Sequence, residues 1–163
     1  MWAFPAEGVE FIGVLNDTVY ATTDTQVIAV SAVDGTVIWR HAADDYFSDG
    51  GSIIGVAADD VWVIAPYNSN LHLDPTTGRT LAIDTAPTAE LPVGFVPLVA
   101  RPPTDWTVVN SFGGAHAELP DGERVWQLFV TDSGYYEGAP AIREGALTIV
   151  PATDGYVYAI TLS

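Results

Sequence analysis

Three histidines and one aspartate-rich stretch are the residues whose types and spacing could carry chemistry. His72 and His116 each precede a glycine by six residues, in HLDPTTG and HAELPDG. Two imidazoles brought together could bind zinc or copper. The corresponding positions elsewhere in the chain are Ala29 and Ala159, so no third ligand comes with them. A packed or hydrogen-bonded strand histidine is therefore the expectation for both. His41 follows Trp39 and Arg40 and reads as a solvated loop residue. The stretch ADDYFSDGG at 43–51 places Asp44, Asp45 and Asp49 in one loop. Three such carboxylates could hold calcium, the one candidate cofactor, but the spacing is not that of an EF-hand, and a polar loop is expected. Asp59 and Asp60 are adjacent carboxylates in an expected turn, where aspartate is a turn former first. SFGGAH at 111–116 suits a β-turn better than a phosphate cradle. No G-x-S-x-G, H-E-x-x-H or phosphate-binding glycine loop occurs. Without cysteine there is no thiol nucleophile, disulfide or Cys-ligated metal.

The elements that must position these residues are short strands. EFIGVL, TVYATT, QVIAVSA and TVIWRH follow one another within residues 10–41, separated by turn signals at ND (16–17), TDT (23–25) and VDG (33–35). Runs of β-branched and aromatic residues between such turns predict four antiparallel strands, with no sustained helical period anywhere in the chain. The same figure recurs. FIGVLNDTVYATT at 11–23 aligns with IIGVAADDVWVIA at 53–65, and APAIREGALTIVP at 139–151 fits the same template. FVPLVARPPTDWTVVN at 95–110 is the third copy, with an insertion around Pro102 and Pro103. Four-strand units repeating every ~44 residues are the mark of β-propeller blades. The blades are expected at about 8–46, 51–87, 91–132 and 134–163.

In each copy a glycine (Gly35, Gly78 or Gly122) closes the turn between the third and fourth strands, preceded by Asp34, Thr77 or Asp121. Positive φ is expected at the glycine, with the preceding side chain hydrogen-bonded to the turn. Four residues on come Trp39, Ala82 and Trp126. The two indoles are expected to fill the gap to the neighbouring blade. Ala82 predicts that the second blade docks most loosely. The inner strands (EFIGV, SIIGV, VGFVPL, EGAPAI) should line an axis, with Glu10 and Glu137 near its mouth.

The repeat resembles the pyrroloquinoline-quinone-type β-propeller family, whose blades carry A-x-D-x-x-T-G-x-x-x-W. Ala29 to Trp39, His72 to Ala82 and His116 to Trp126 follow that spacing, with Ser31 and Glu118 in place of the family's Asp, Asp34 and Asp121 in place of its Thr, and Ala82 in place of its Trp. The resemblance implies an all-β propeller and an extracytoplasmic location. It does not carry over the dehydrogenases' quinone and calcium site, because the adjacent cysteine pair is absent and no Glu, Asn and Asp set matches the calcium ligands. The non-catalytic branch is the expectation.

The fourth copy supplies three strands and stops at Ser163, while MWAFPA carries Trp2 ahead of the first blade. Residues 1–6, read as an outer strand, supply what the fourth blade lacks. Three closures follow: a homodimer completing one eight-bladed ring with the Trp2 strands exchanged, an excised half of a longer propeller, or a closed four-bladed ring.

The chain of 163 residues has five arginines, no lysine and 21 acidic residues, a net charge of −16. Such a field repels phosphates, so neither nucleic acid nor an anionic membrane is an expected partner. No apolar stretch reaches the ~20 residues of a membrane-spanning helix, and MWAFPAEGVE predicts no signal peptide. The leading expectation is a non-catalytic scaffold or binding module presenting loops to a protein partner. Tyr46, Phe47, Tyr67, Tyr135 and Tyr136 are its candidate contacts. The alternatives are a small-molecule or metal-dependent enzyme using the central channel, and a self-assembling half-propeller with no further activity.

Overall fold

Two-residue turns and β-branched runs leave the chain few choices but antiparallel ladders. The structure, a computed structural model, describes residues 1–6, 8–23, 25–42, 52–65, 69–84, 93–97, 107–111, 114–129, 141–152 and 155–161. Among the described residues there are sixteen strands and no helix. The chain divides into two compact units, 9–100 and the combination of 1–8 with 101–163.

In the unit 9–100, β2 (Val9–Leu15), β3 (Thr18–Thr23), β4 (Gln26–Ser31) and β5 (Val37–Ala42) form one meander, with strands adjacent in chain order. The four runs read from the sequence are these strands. Asn16 and Asp17 hold φ of 49° and 59°, the paired positive values of a type I′ hairpin, which short polar side chains tolerate. Thr23 Oγ1 accepts from the backbone N–H groups of Thr25 at 3.3 Å and Gln26 at 3.1 Å, capping the next turn. The second sheet has the order β10 (Val96–Pro97), β6 (Ser52–Val56), β7 (Val61–Ala65), β8 (Ser69–Leu73) and β9 (Thr80–Asp84).

The two sheets share one core. Tyr20, Val27, Ala29 and Trp39 of the first pack with Val56, Val61, Val63, Leu71 and Leu73 of the second. Burying each large apolar side chain contributes about 1.5–3 kcal/mol, so this cluster is the main bond between them. The outer strands differ. β5 buries Trp39 alone, and β9 buries no side chain.

VGFVPL is placed otherwise than expected. Val96 and Pro97 pair with Val56 and Gly55 on the free edge of β6, rather than opening the third copy. Proline lacks an N–H and suits an edge, and a short fifth strand covers the exposed ladder of β6.

In the other unit, β11 (Thr107–Ser111), β12 (Gly114–Glu118) and β13 (Arg124–Phe129) form a three-stranded sheet among the described residues. The last sheet has the order β14 (Ile142–Glu144), β15 (Leu147–Pro151), β16 (Tyr156–Thr161) and β1 (Trp2–Pro5). Its outer strand comes from the opposite end of the chain and runs antiparallel to β16, with Trp2 opposite Ala159 and Phe4 opposite Val157. Phe4, Ile142, Ile149, Val150, Val157 and Ala159 are buried. Trp2 opposite Ala159 repeats the pairing of Trp39 with Ala29 in the first sheet.

Candidate functional site

Strand parity turns Trp39 inward between the exposed Ile38 and Arg40. The indole lies over the β8–β9 turn of the second sheet. Its Nε1 donates to the Pro75 carbonyl oxygen at 2.8 Å. A Cβ added to Gly78 would stand 2.6 Å from Trp39 Cε3, so only glycine admits the ring. The φ of Gly78 is 67°, the left-handed region that glycine alone enters freely. Gly35 and Gly122, at the same turn position of the first and third copies, have φ of 78° and 87°. Tyr20 packs near the indole, its ring 6.3 Å away and tilted by 53°. Burial pushes the Tyr20 hydroxyl up, partly offset by its hydrogen bond with Thr18.

His41 is not a solvated loop residue. It lies in β5 on the side of Trp39, with Nδ1 2.9 Å from the Gly78 carbonyl oxygen. A carbonyl only accepts, so Nδ1 carries the proton there. Trp39 and His41 grip one turn from the same strand.

The turn is stiffened by Asp74. Its Oδ1 accepts from Thr76 N at 2.8 Å, Thr77 N at 2.8 Å and Thr76 Oγ1 at 2.6 Å. The Thr76 hydroxyl, then the Thr76 and Thr77 amides, hold its carboxyl down to about 2. The residues before the glycines act in the same way: Asp34 Oδ1 accepts from Thr36 N at 3.0 Å, Thr77 Oγ1 from Arg79 N at 3.4 Å, and Asp121 Oδ1 from Glu123 N at 3.1 Å.

A second constellation lies on the other face of the second sheet. Trp62, His72 and Ala82 stand side by side across β7, β8 and β9. The imidazole stacks on the indole at 5.6 Å and 17°, and Phe95 meets Trp62 edge-on at 5.7 Å. His72 Nδ1 is 2.6 Å from Asp60 Oδ2, and Nε2 is 3.5 Å from Asp84 Oδ2. Both ring nitrogens thus face carboxylates rather than a hydroxyl to be activated. Asp60 is more than a turn former, since its carboxylate orients His72. Asp60 immediately precedes β7, two residues before Trp62, and the sequence reading of it as a turn former missed the pair. No group of three or more metal-ligating side chains converges among the described residues.

His116 is not the equivalent of His72 in pairing. In the first two sheets the bulge puts Ala29 opposite Trp39 and His72 opposite Ala82. In the third, Ala117 is opposite Trp126 and His116 opposite Gln127. The turn explains the slip. Ser31 N bonds Thr36 O and Asp74 N bonds Arg79 O, whereas the third copy closes one residue later, from Leu119 N to Glu123 O at 2.9 Å. Position 120 is proline, with no N–H for the residue at 118 to bind as Asp74 binds Thr76. The longer Glu118 side chain turns instead to His116 Nε2 at 2.8 Å.

Trp2, Gly35, Trp39, Gly78 and Gly122 therefore stand at repeated positions of the sheets, and the backbone of Trp126 is offset by one. Asp44, Asp45, Asp49, Tyr46, Phe47, Tyr67, Tyr135, Tyr136 and Glu137 lie outside the described residues.

No protein-family model matches the chain, and no curated protein matches it. Among solved structures, the chain is similar to BamB from Moraxella catarrhalis, at 16% identity and a TM-score of 0.45 over 98% of this chain and 49% of that one. It is similar to the computationally designed Ika8 protein at 12% identity and a TM-score of 0.41, over 94% of this chain and 46% of that one. The computationally designed Ika4 protein matches at 13% identity and a TM-score of 0.39, over 96% of this chain and 92% of that one. The chain spans about half the length of the first two. The class, an all-β protein of repeated antiparallel sheets of the propeller type, follows from the ladders and the shared turn positions.

Proposed function

We propose that the chain is a non-catalytic propeller scaffold of the pyrroloquinoline-quinone-like repeat type, which presents its loops to a protein partner. The observation that carries this reading is the use of its histidines. The sequence has three, and all are engaged in internal contacts: His41 with Gly78, His72 with Asp60 and Asp84, and His116 with Glu118. Side chains suited to catalysis thus serve to hold turns and strands. The loops containing Tyr46, Phe47, Tyr67, Tyr135 and Tyr136 are the proposed contact surface, since tyrosines anchor many interfaces. Affinity capture from the source cell is expected to recover a protein that is lost when these aromatics are replaced by serine. Thermal stabilisation by calcium or by a quinone, together with turnover of a quinone or sugar, would replace this reading with the enzyme.

A second reading is that two copies build one eight-bladed ring; β1 pairs with β16 of its own chain, and in that ring it would pair with β16 of the second copy. An outer strand supplied by the opposite end of the chain is the kind of element that a second copy can supply in trans. Molar mass in solution tests it: twice 17.3 kDa is expected, and a monomer of 17.3 kDa removes the ring of two.

A further inference from the structure

We propose that the outer edge of β9 accepts an extended basic segment of another polypeptide as an added strand. The proposal rests on the binding-module reading but moves the contact from the loops to a strand. Among the described residues β9 is the terminal strand of its sheet, and all five of its residues are exposed. Leu81 is 54% and Ile83 41% exposed. They alternate with Thr80, Ala82 and Asp84, so one side of the strand is apolar while the other is small and polar and ends on the Asp84 carboxylate beside His72.

Exposed edges are ordinarily blunted by lysine, arginine, proline or a buried anchor. The other outer strands have such features: β5 has buried Trp39 and Arg40, β1 has Pro5, and β13 begins with Arg124. β9, with the sequence TLAID, has no lysine, arginine, proline or buried side chain, and its one charge is Asp84 at its end. Main-chain pairing to an open edge supplies affinity, and alternate side chains supply choice.

Charge identifies the occupant. The chain is at −16, and the Asp84 side chain, 64% exposed, closes the strand beside His72. Across this edge the Asp84 carboxylate disfavours an acidic strand and favours a cationic one. Apolar residues would lie over Leu81 and Ile83, with lysine or arginine on the face of Asp84.

The test uses the whole protein and fluorescent peptides of alternating lysine and valine, alternating glutamate and valine, and a lysine peptide with proline in place of valine. Anisotropy is expected to show saturable binding of the lysine–valine peptide alone. The charge-neutral variant Leu81→Thr/Ile83→Thr should weaken it about tenfold, the loss expected from two half-buried apolar contacts. Equal binding of the proline peptide, unchanged binding by the double variant, or no saturable binding overturns the proposal. Self-association of the wild type that the double variant abolishes also overturns it, giving the edge to a second copy. Affinity capture separates the two readings: a partner retained by the double variant sinks the β9 site and leaves the loop surface standing.

Discussion

Gly78 and Trp39 are in contact so close that a methyl group at residue 78 would stand 2.6 Å from Cε3 of the indole. Gly122 has the same backbone sign, φ 87°, but among the described residues nothing lies within 4 Å of an added Cβ. The two alanine variants therefore separate clash from backbone strain. Gly122→Ala is expected to cost about 1–2 kcal/mol, the left-handed penalty alone. Gly78→Ala adds about 1–3 kcal/mol of overpacking. Denaturant melts of both variants give the comparison, and equal losses would remove the close contact.

Trp39→Phe keeps a ring in the gap but leaves the Pro75 carbonyl without the Nε1 donor. A loss of about 1–3 kcal/mol is expected from that unmade bond. Trp39→Ala should cost about 3–5 kcal/mol, since most of the inter-sheet filling goes with it. Urea midpoints would settle the order.

Asp74 has a pH signature. Its carboxyl is held down to about 2 in the folded chain, against an ordinary value of 3.8. A folded value below the unfolded one means that the stabilisation is complete above the unfolded value and is lost as pH falls toward 2. Carbon-detected NMR titration should place the Asp74 midpoint near 2. Asp74→Asn should flatten the stability profile between the two values.

His72 faces Asp60 at 2.6 Å and Asp84 at 3.5 Å. The shorter contact is the stronger, so the neutral ring is expected to carry its proton on Nδ1. Nitrogen-15 shifts of the imidazole read this directly. Asp60→Asn can turn either an oxygen or an NH₂ to the ring and should change the tautomer ratio, whereas Asp84→Asn should leave it close to wild type.

The third turn makes a sequence-level prediction. Glu118→Asp together with Pro120→Thr restores the acceptor and the N–H that the second copy uses. The longer turn should then return, moving Trp126 from opposite Ala117 to opposite His116. Cross-strand NOEs report the register, and Glu118→Asp alone should not move it.

The first sheet was almost wholly legible, because TVYATT and QVIAVSA combine β-branched residues with unmistakable turns. Turn glycines were legible because they recur at fixed spacing, and residues 1–6 as an outer strand because the fourth copy lacks one. VGFVPL was not, since an apolar run does not say which of two free edges it will cover. His41 was misplaced although its parity with Trp39 pointed to the same face. Pro120 was in plain view, yet its effect depends on a hydrogen bond seen only in the neighbouring copy. The candidate contacts Tyr46, Phe47, Tyr67, Tyr135 and Tyr136 lie outside the described residues. The Asp60–His72 pair needed the register of β7 on β8 before its two members could meet.

Joining Trp2 to Ala159 also sets a timetable for folding. A growing polypeptide must leave its first strand without a ladder partner until Tyr156–Thr161 has been synthesised. Contacts of such sequence separation form slowly, so that seam should be the last to zip during biogenesis.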